Sequence, residues 1–229
     1  MESLKVLYED NHIIVVVKPV NIPSQGDKTG DIDMLTIIKE YIKEKYNKPG
    51  EVYLGLVHRL DRPTGGVMVF ARTSKAASRL SEQVRDKQMH KKYLCIVDGK
   101  MEKESGRFVD YLWKNEKTNT SKVVDKGTKN SKEAILDYKV LKYNDEIDMS
   151  LVDVDLHTGR HHQIRVQFAS RGHSLSGDGK YGTRGRGKGL ALWAYSLSFL
   201  HPTKKEEMTF EEYPEATGSW VILKNDKEM

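Results

Sequence analysis

The sequence predicts a chain of mixed α and β elements, and three observations carry that expectation. Short apolar runs with strand character, such as Ile13 to Val17, Val67 to Ala71 and Lys91 to Asp98, are bounded by Gly, Pro, Asn and Asp. Three longer segments instead space their apolar residues at helical intervals. Gly177 to Gly182 satisfies G-x-G-x-x-G, yet it follows a helix and no β-α-β unit surrounds it, so dinucleotide binding is not expected.

Taken in order, Lys5 to Tyr8 and His12 to Lys18 read as two strands joined at Asp10-Asn11, and Pro19, Pro23 and Gly26 end the pattern. Asp33 to Lys45 places Met34, Leu35, Ile38, Tyr41 and Ile42 on one helical face and leaves Lys39 and Lys43 to solvent. Leu54, Leu56 and Val57 end a strand, Asp61 to Gly66 is a cluster of turn residues, and Val67 to Ala71 is a second apolar run. Thr73 or Ser74 then caps a helix running to about Lys87, with Ala76, Ala77, Leu80 and Val84 inward. Lys91 to Asp98 is strand-like, whereas Lys114 to Lys132 is polar, Lys-rich and free of aromatics, a flexible loop or exposed hairpin. Ala134 to Leu141 and Asp148 to Leu156 resume strand alternation. Thr158 reads as the N-cap of a helix from Gly159 to Arg171 that stops at Gly172, with Ile164, Phe168 and Ala169 inward. A Gly-rich loop, Gly177 to Gly189, leads to a last apolar strand, Leu190 to Leu200.

Composition narrows the function classes. Lys and Arg number 38 against 33 acids, and the resulting +5 agrees with a polyanionic partner. The acids from Glu206 to Glu215 argue against such contact at the tail. One cysteine, Cys95, excludes an internal disulfide and points to a reducing cytoplasm. The start lacks a signal-peptide layout and no apolar run is long enough to span a bilayer, so a cytoplasmic protein with no membrane partner is expected.

Chemistry is concentrated in Val57 to Arg72, VHRLDRPTGGVMVFAR, where Asp61 lies at a strand-to-strand corner that core packing does not require. Flanked by Arg59 and Arg62, its carboxylate is expected to be ionised, as suits a nucleophile or general base. The plain alternative is an Asp that hydrogen-bonds the backbone of a Pro-Gly turn while the arginines face water. His157 and His161 have the spacing of helical zinc ligands, but His157 precedes the Thr158 cap and no third ligand is near, so no metal is expected.

The HRLD-x-x-T stretch resembles the signature of the RluA-type pseudouridine synthases. Three further segments resemble that family in the same order. They are Tyr8 to Pro23 (E-D-x-x-x-x-V-V-x-K-P-x-G), Lys91 to Gly99 (K-x-Y-x-x-x-V-x-G), and Thr158 to Gly182 (T-G-R-x-H-Q-I-R followed by G-H-P-x-x-G-D-x-x-Y-G). The sequence departs from the pattern at Gly65 for Ser, Asn21 for Gly and Ser174 for Pro, and His161 adds a ring beside His162. Fine substrate fit is touched by these changes, reaction class is not.

The resemblance implies an α+β fold with a central mixed, mostly antiparallel sheet, flanking helices and an active-site cleft across it, where Asp61, Tyr93 and Arg165 meet. It implies one catalytic domain over residues 1 to 229, with no separate N-terminal RNA-binding module. It implies conversion of specific uridines in ribosomal or transfer RNA to pseudouridine, with no cofactor and the target base flipped out. Asp61 is the catalytic carboxylate on this reading. Whether it attacks C1′ of the sugar, attacks C6 of the base or removes a sugar proton is left open. Arg165 is expected to pair with it, Tyr93 to stack on the uracil, Ile164 to pack on the base and Arg59 to fill the vacated stack. His58, Thr64, Arg160 and Gln163 belong to the same motifs and are assigned to substrate binding. Lys180, Arg184, Arg186 and Lys188 stand in a glycine-separated loop without acids, suited to phosphates. A monomer is expected. Two rivals are a glycoside or nucleoside hydrolase, for which the motifs offer no second carboxylate, and a non-catalytic RNA-binding protein.

Overall fold

Dense β-branching makes the first hairpin. Strand β1 (Val6–Glu9) pairs antiparallel with β2 (Ile13–Lys18), whose IIVVVK run is buried along its whole length. Asp10 closes the turn, its Oδ1 accepting the amides of His12 at 2.7 Å and Ile13 at 2.9 Å. The computed structural model describes residues 4–182 and 189–225.

Helix α1 (Met34–Lys45) starts where Asp33 Oδ1 accepts the amides of Leu35 and Thr36, and it buries Met34, Ile38 and Ile42. Strand β3 (Gly55–Leu56) and strand β4 (Gly65–Ala71) flank the Asp61 turn. Helix α2 (Ser74–Arg85) is capped by Thr73, whose hydroxyl oxygen accepts the Ala76 amide at 3.1 Å. There follow β5 (His90–Asp98), β6 (Ser105–Asn115), β7 (Thr120–Val124), β8 (Lys132–Asn144) and β9 (Met149–Leu156). Helix α3 (Gln163–Ala169), β10 (Leu192–Leu200), β11 (Glu207–Glu211) and a 3-10 stretch (Gly218–Asn225) complete the chain. The fold is α+β, and the strand pairs of known register are antiparallel.

The chain divides into two units, Met1–His90 with Ala194–Tyr213 and Lys91–Trp193 with Pro214–Met229. In the first, the strands run β1-β2-β4-β10-β11, with β3 also on β4. Its core joins Ile13 and Val15 of β2, Val67 and Val69 of β4, Ala76 and Leu80 of α2, and Phe199 of β10. Gly66 has φ +125° and a Cβ there would stand 2.1 Å from the Ala194 carbonyl oxygen, so only hydrogen fits. Asn21, which replaces a glycine of the family pattern, does adopt a left-handed φ of 66°.

In the second unit the order is β5-β9-β8-β6-β7. Phe108, Tyr138 and Phe168 pack edge-to-face or tilted, and Arg171, paired with Asp110, lies 4.0 Å over the Phe108 ring. Cys95 is fully buried in β5, and that burial raises its thiol far above the ordinary range.

Of the two readings of the Lys-rich stretch, loop or hairpin, its start takes the hairpin, β6 and β7 pairing from Tyr111↔Val124 to Asn115↔Thr120. One expectation changes. The third helix starts at Gln163 and not at Gly159. Thr158 donates to the Gln163 side chain and accepts the Ile135 amide, while His162 takes a left-handed φ of 54° that helical propagation from Gly159 would forbid. Among the described residues no helix is long and apolar enough to cross a membrane.

Candidate active site

Main-chain contacts brace the Asp61 turn. The Thr64 amide donates to the Asp61 carbonyl at 3.0 Å. Ser24 grips the preceding residue from both sides, donating to the Leu60 carbonyl at 2.8 Å and accepting its amide at 3.2 Å. Lys18, at the end of β2, has no exposed surface, and its Nζ donates to the carbonyls of Pro19 at 2.9 Å and Arg62 at 3.1 Å. Burial pushes Lys18 down to about 7, opposed by the charge of Asp61 and aided by that of Arg62. Asp61 itself is half-buried.

Of the two guanidiniums expected beside Asp61, Arg62 is engaged elsewhere. Arg62 turns its guanidinium to Asp27 (2.9 Å), to Asp31 and to the Thr29 hydroxyl (2.6 Å), and Arg59 is exposed. Neighbours in a turn diverge in direction, so closeness in sequence does not commit the Arg62 guanidinium to the Asp61 carboxylate. Lys18 is a cation whose ionisation responds to Asp61. His58 is buried with Nε2 accepting the Val69 amide at 3.2 Å, and Thr64 is buried as well.

In the second unit α3 is buried from Gln163 through Phe168. Arg165 makes a two-pronged pair with Asp178, Nε to Oδ2 at 2.7 Å and Nη2 to Oδ1 at 2.6 Å, and both side chains are almost wholly shielded. Burial works to raise the Asp178 pKa, but the guanidinium overrides it and the carboxyl stays below its usual range. Oδ1 of Asp178 also accepts the amides of Lys180 (2.9 Å) and Tyr181 (3.2 Å).

Tyr181 lies under the same guanidinium, 5.1 Å from Arg165 Cζ to ring centre. Its hydroxyl oxygen accepts the Ser121 amide at 2.7 Å and stands 2.7 Å from His162 Nδ1. Burial and then the charge of Arg165 depress His162 to about 3. His161 stacks on it at 3.7 Å, and its Nδ1 meets the Ser121 hydroxyl at 2.9 Å; burial and then Lys114 depress it to about 4.

The remaining candidates are distributed unevenly. Gln163 has its amide fully engaged, accepting from Thr158 and the Arg160 amide and donating to Ile135 and Gln167. Arg160 is exposed and donates from Nε to Glu133, and Lys180, exposed, donates to the Asn119 carbonyl. Ile164 and Tyr93 are buried. Arg184, Arg186 and Lys188 lie outside the described residues. His157 meets Asp137 and His161 meets Ser121, so each of the spaced histidines has a separate partner.

The motifs contain three residues that sequence reasoning did not single out, Lys18, Asp178 and Tyr181. Lys18 carried a signal, since a lysine ending a wholly apolar strand has to find buried partners. Asp178 and Tyr181 are fixed letters of the G-D-x-x-Y-G pattern, but Arg165 and Ser121, to which they bond, lie 13 and 60 positions away and could not be named from it.

The family described as RNA pseudouridylate synthase matches this chain over residues 12–170. A protein of Aquifex aeolicus, named as an uncharacterized RNA pseudouridine synthase, is 36% identical, with 95% of this chain and 73% of that protein covered. The ribosomal large subunit pseudouridine synthase D of Zymomonas mobilis is 30% identical over 91% of this chain and 68% of its own length. Among solved structures, human RNA pseudouridylate synthase domain containing 4 superposes with a TM-score of 0.78 at 23% identity, covering 95% of this chain and 90% of that one, a likeness of fold.

Proposed function

This chain belongs to the RNA pseudouridylate synthase family and is an enzyme that isomerises uridine in RNA to pseudouridine, and from that premise we propose that Asp61 is its catalytic carboxylate. The observation that supports this reading best is the Asp61 turn, a half-buried carboxylate on irregular backbone gripped by Ser24 and Lys18. Side chains that do chemistry are commonly displayed on loops positioned by a rigid scaffold.

The reaction breaks the N1–C1′ bond, turns the detached uracil and forms a C5–C1′ bond; the C5 proton leaves to water and N1, freed of the sugar, takes a proton from water. Atoms balance without an external oxidant or reductant. Asp61 serves at the sugar or the base, Tyr93 as the aromatic platform and Arg165 as the cation, with Ile164 against the base and Arg59 taking its place in the RNA stack. A flipped-out nucleotide is part of the same reading, since N1 and C1′ are not reachable in stacked RNA. His58, Thr64, Arg160 and Gln163 keep the substrate-side assignment as part of it, and Lys180 offers charge to phosphates.

The substrate we propose is a uridine in structured ribosomal or transfer RNA. The names of the Zymomonas relative and of a Buchnera aphidicola protein, ribosomal large subunit pseudouridine synthase C at 31% identity, favour ribosomal RNA. Action as a monomer in the cytoplasm completes the proposal, and a single buried cysteine agrees with a reducing compartment. Pseudouridine mapping in cells with and without the gene tests it. Loss of a defined site, restored by wild type and not by Asp61→Asn, is expected; restoration by Asp61→Asn overturns the assignment.

A further inference from the structure

The second unit holds Arg165 by more than its ion pair. Tyr181 touches the guanidinium with its ring, sends its amide to the carboxylate that Arg165 grips, and anchors its hydroxyl to β7 through the Ser121 amide. Its ring also packs beside Leu112, Ala134 and Val166, next to Arg165 in α3. A planar cation between a carboxylate fork and an aromatic face has little rotational freedom left. The fork takes Nε and Nη2, so the ring fixes the tilt of the plane and thereby the direction of Nη1.

We propose that Tyr181 is a positioning residue for Arg165, with its hydroxyl moored to the β6–β7 hairpin at Ser121. This rests on the reading of Arg165 as the cation of uridine isomerisation. Tyr181 does not touch the reacting atoms in this account. It sets the orientation of a group that does, so its loss lowers the rate of the bound complex and leaves RNA affinity alone.

The test is tritium release from transcripts of ribosomal and transfer RNA carrying [5-³H]uridine, run at saturating enzyme in single turnover, with RNA affinity measured separately. Tyr181→Phe keeps the ring and loses the mooring, and a rate loss of about tenfold is expected; Tyr181→Leu loses both, for about a hundredfold, with affinity held within about twofold in each. Wild-type rates in both variants overturn the proposal, as does a loss confined to affinity. A wild-type rate in Tyr181→Phe alone overturns the mooring. The Arg165 Nε–H resonance in ¹⁵N spectra supplies a reading independent of turnover: it should shift and exchange faster with water in both variants, and an unmoved signal overturns the proposal even if the wild-type protein releases no tritium, a result that would instead sink the functional reading.

Discussion

The Asp61 turn and the Arg165 helix are built on opposite plans. Asp61 stands half-buried in a turn braced through main-chain atoms, by Ser24 at Leu60 and by Lys18 at Arg62. Arg165 is buried and held through side chains, by the Asp178 fork and the Tyr181 ring. The difference teaches where substitutions register. A turn braced through its backbone keeps those braces when a side chain in it is changed, whereas one arm of a buried ion pair cannot be removed without stranding the other.

The sharpest break of this contrast is Asp61→Asn. Activity should fall by about 10³-fold or more, while the unfolding free energy moves by about 1 kcal/mol or less. Tritium release and a denaturant melt on the same sample check both halves; a melt that shifts as far as the activity would merge the two plans. Asp178→Ala should behave the other way, with a loss of roughly 3–5 kcal/mol in stability because a buried guanidinium is left uncompensated. Equilibrium denaturation measures it, and a loss under about 1 kcal/mol would show that Arg165 finds water instead.

Lys18 sharpens the comparison through pH. Its folded pKa, about 7, lies below the ordinary 10.5, so the unfolded chain holds the proton over a range in which the folded chain has released it. Its contribution to stability is therefore complete above about 10.5, declines as pH falls, and is lost once pH has passed below about 7. Melts from pH 6 to 10 should show less rise with pH in Lys18→Met than in wild type, by roughly 1–3 kcal/mol over the interval. Parallel curves would mean that the amine stays protonated. The smallest effect belongs to Arg62→Ala: its partners Asp27 and Asp31 are exposed, so about 1 kcal/mol or less is expected in the melt.

Much of the first unit was legible because its elements obey one period each. Helices α1 and α2 and strands β2 and β4 fall within a residue or two of their expected bounds, since periodic burial and side-chain caps both act locally. Strand β11 was not seen, because a run rich in Glu reads as a solvated tail until β10 offers it a ladder. The early part of β6 escaped for a like reason: its burial alternates only weakly. The third helix was drawn too long because Thr158, a good cap by type, bonds across to Ile135 instead. At the site, the motif residues were identifiable as a set, but their partners were not. That Arg62 would turn to Asp27 and Asp31, or Arg165 to Asp178, depends on side-chain direction in turns and loops, which a linear spacing does not encode.

Cys95, sealed in β5, has a practical consequence. A maleimide dye will pass it by, so a cysteine installed at exposed Lys117 on the β6–β7 hairpin would be labelled alone on an otherwise native background. Fluorescence from that single reporter could then follow the hairpin as RNA arrives and departs, in real time and without stripping any native thiol.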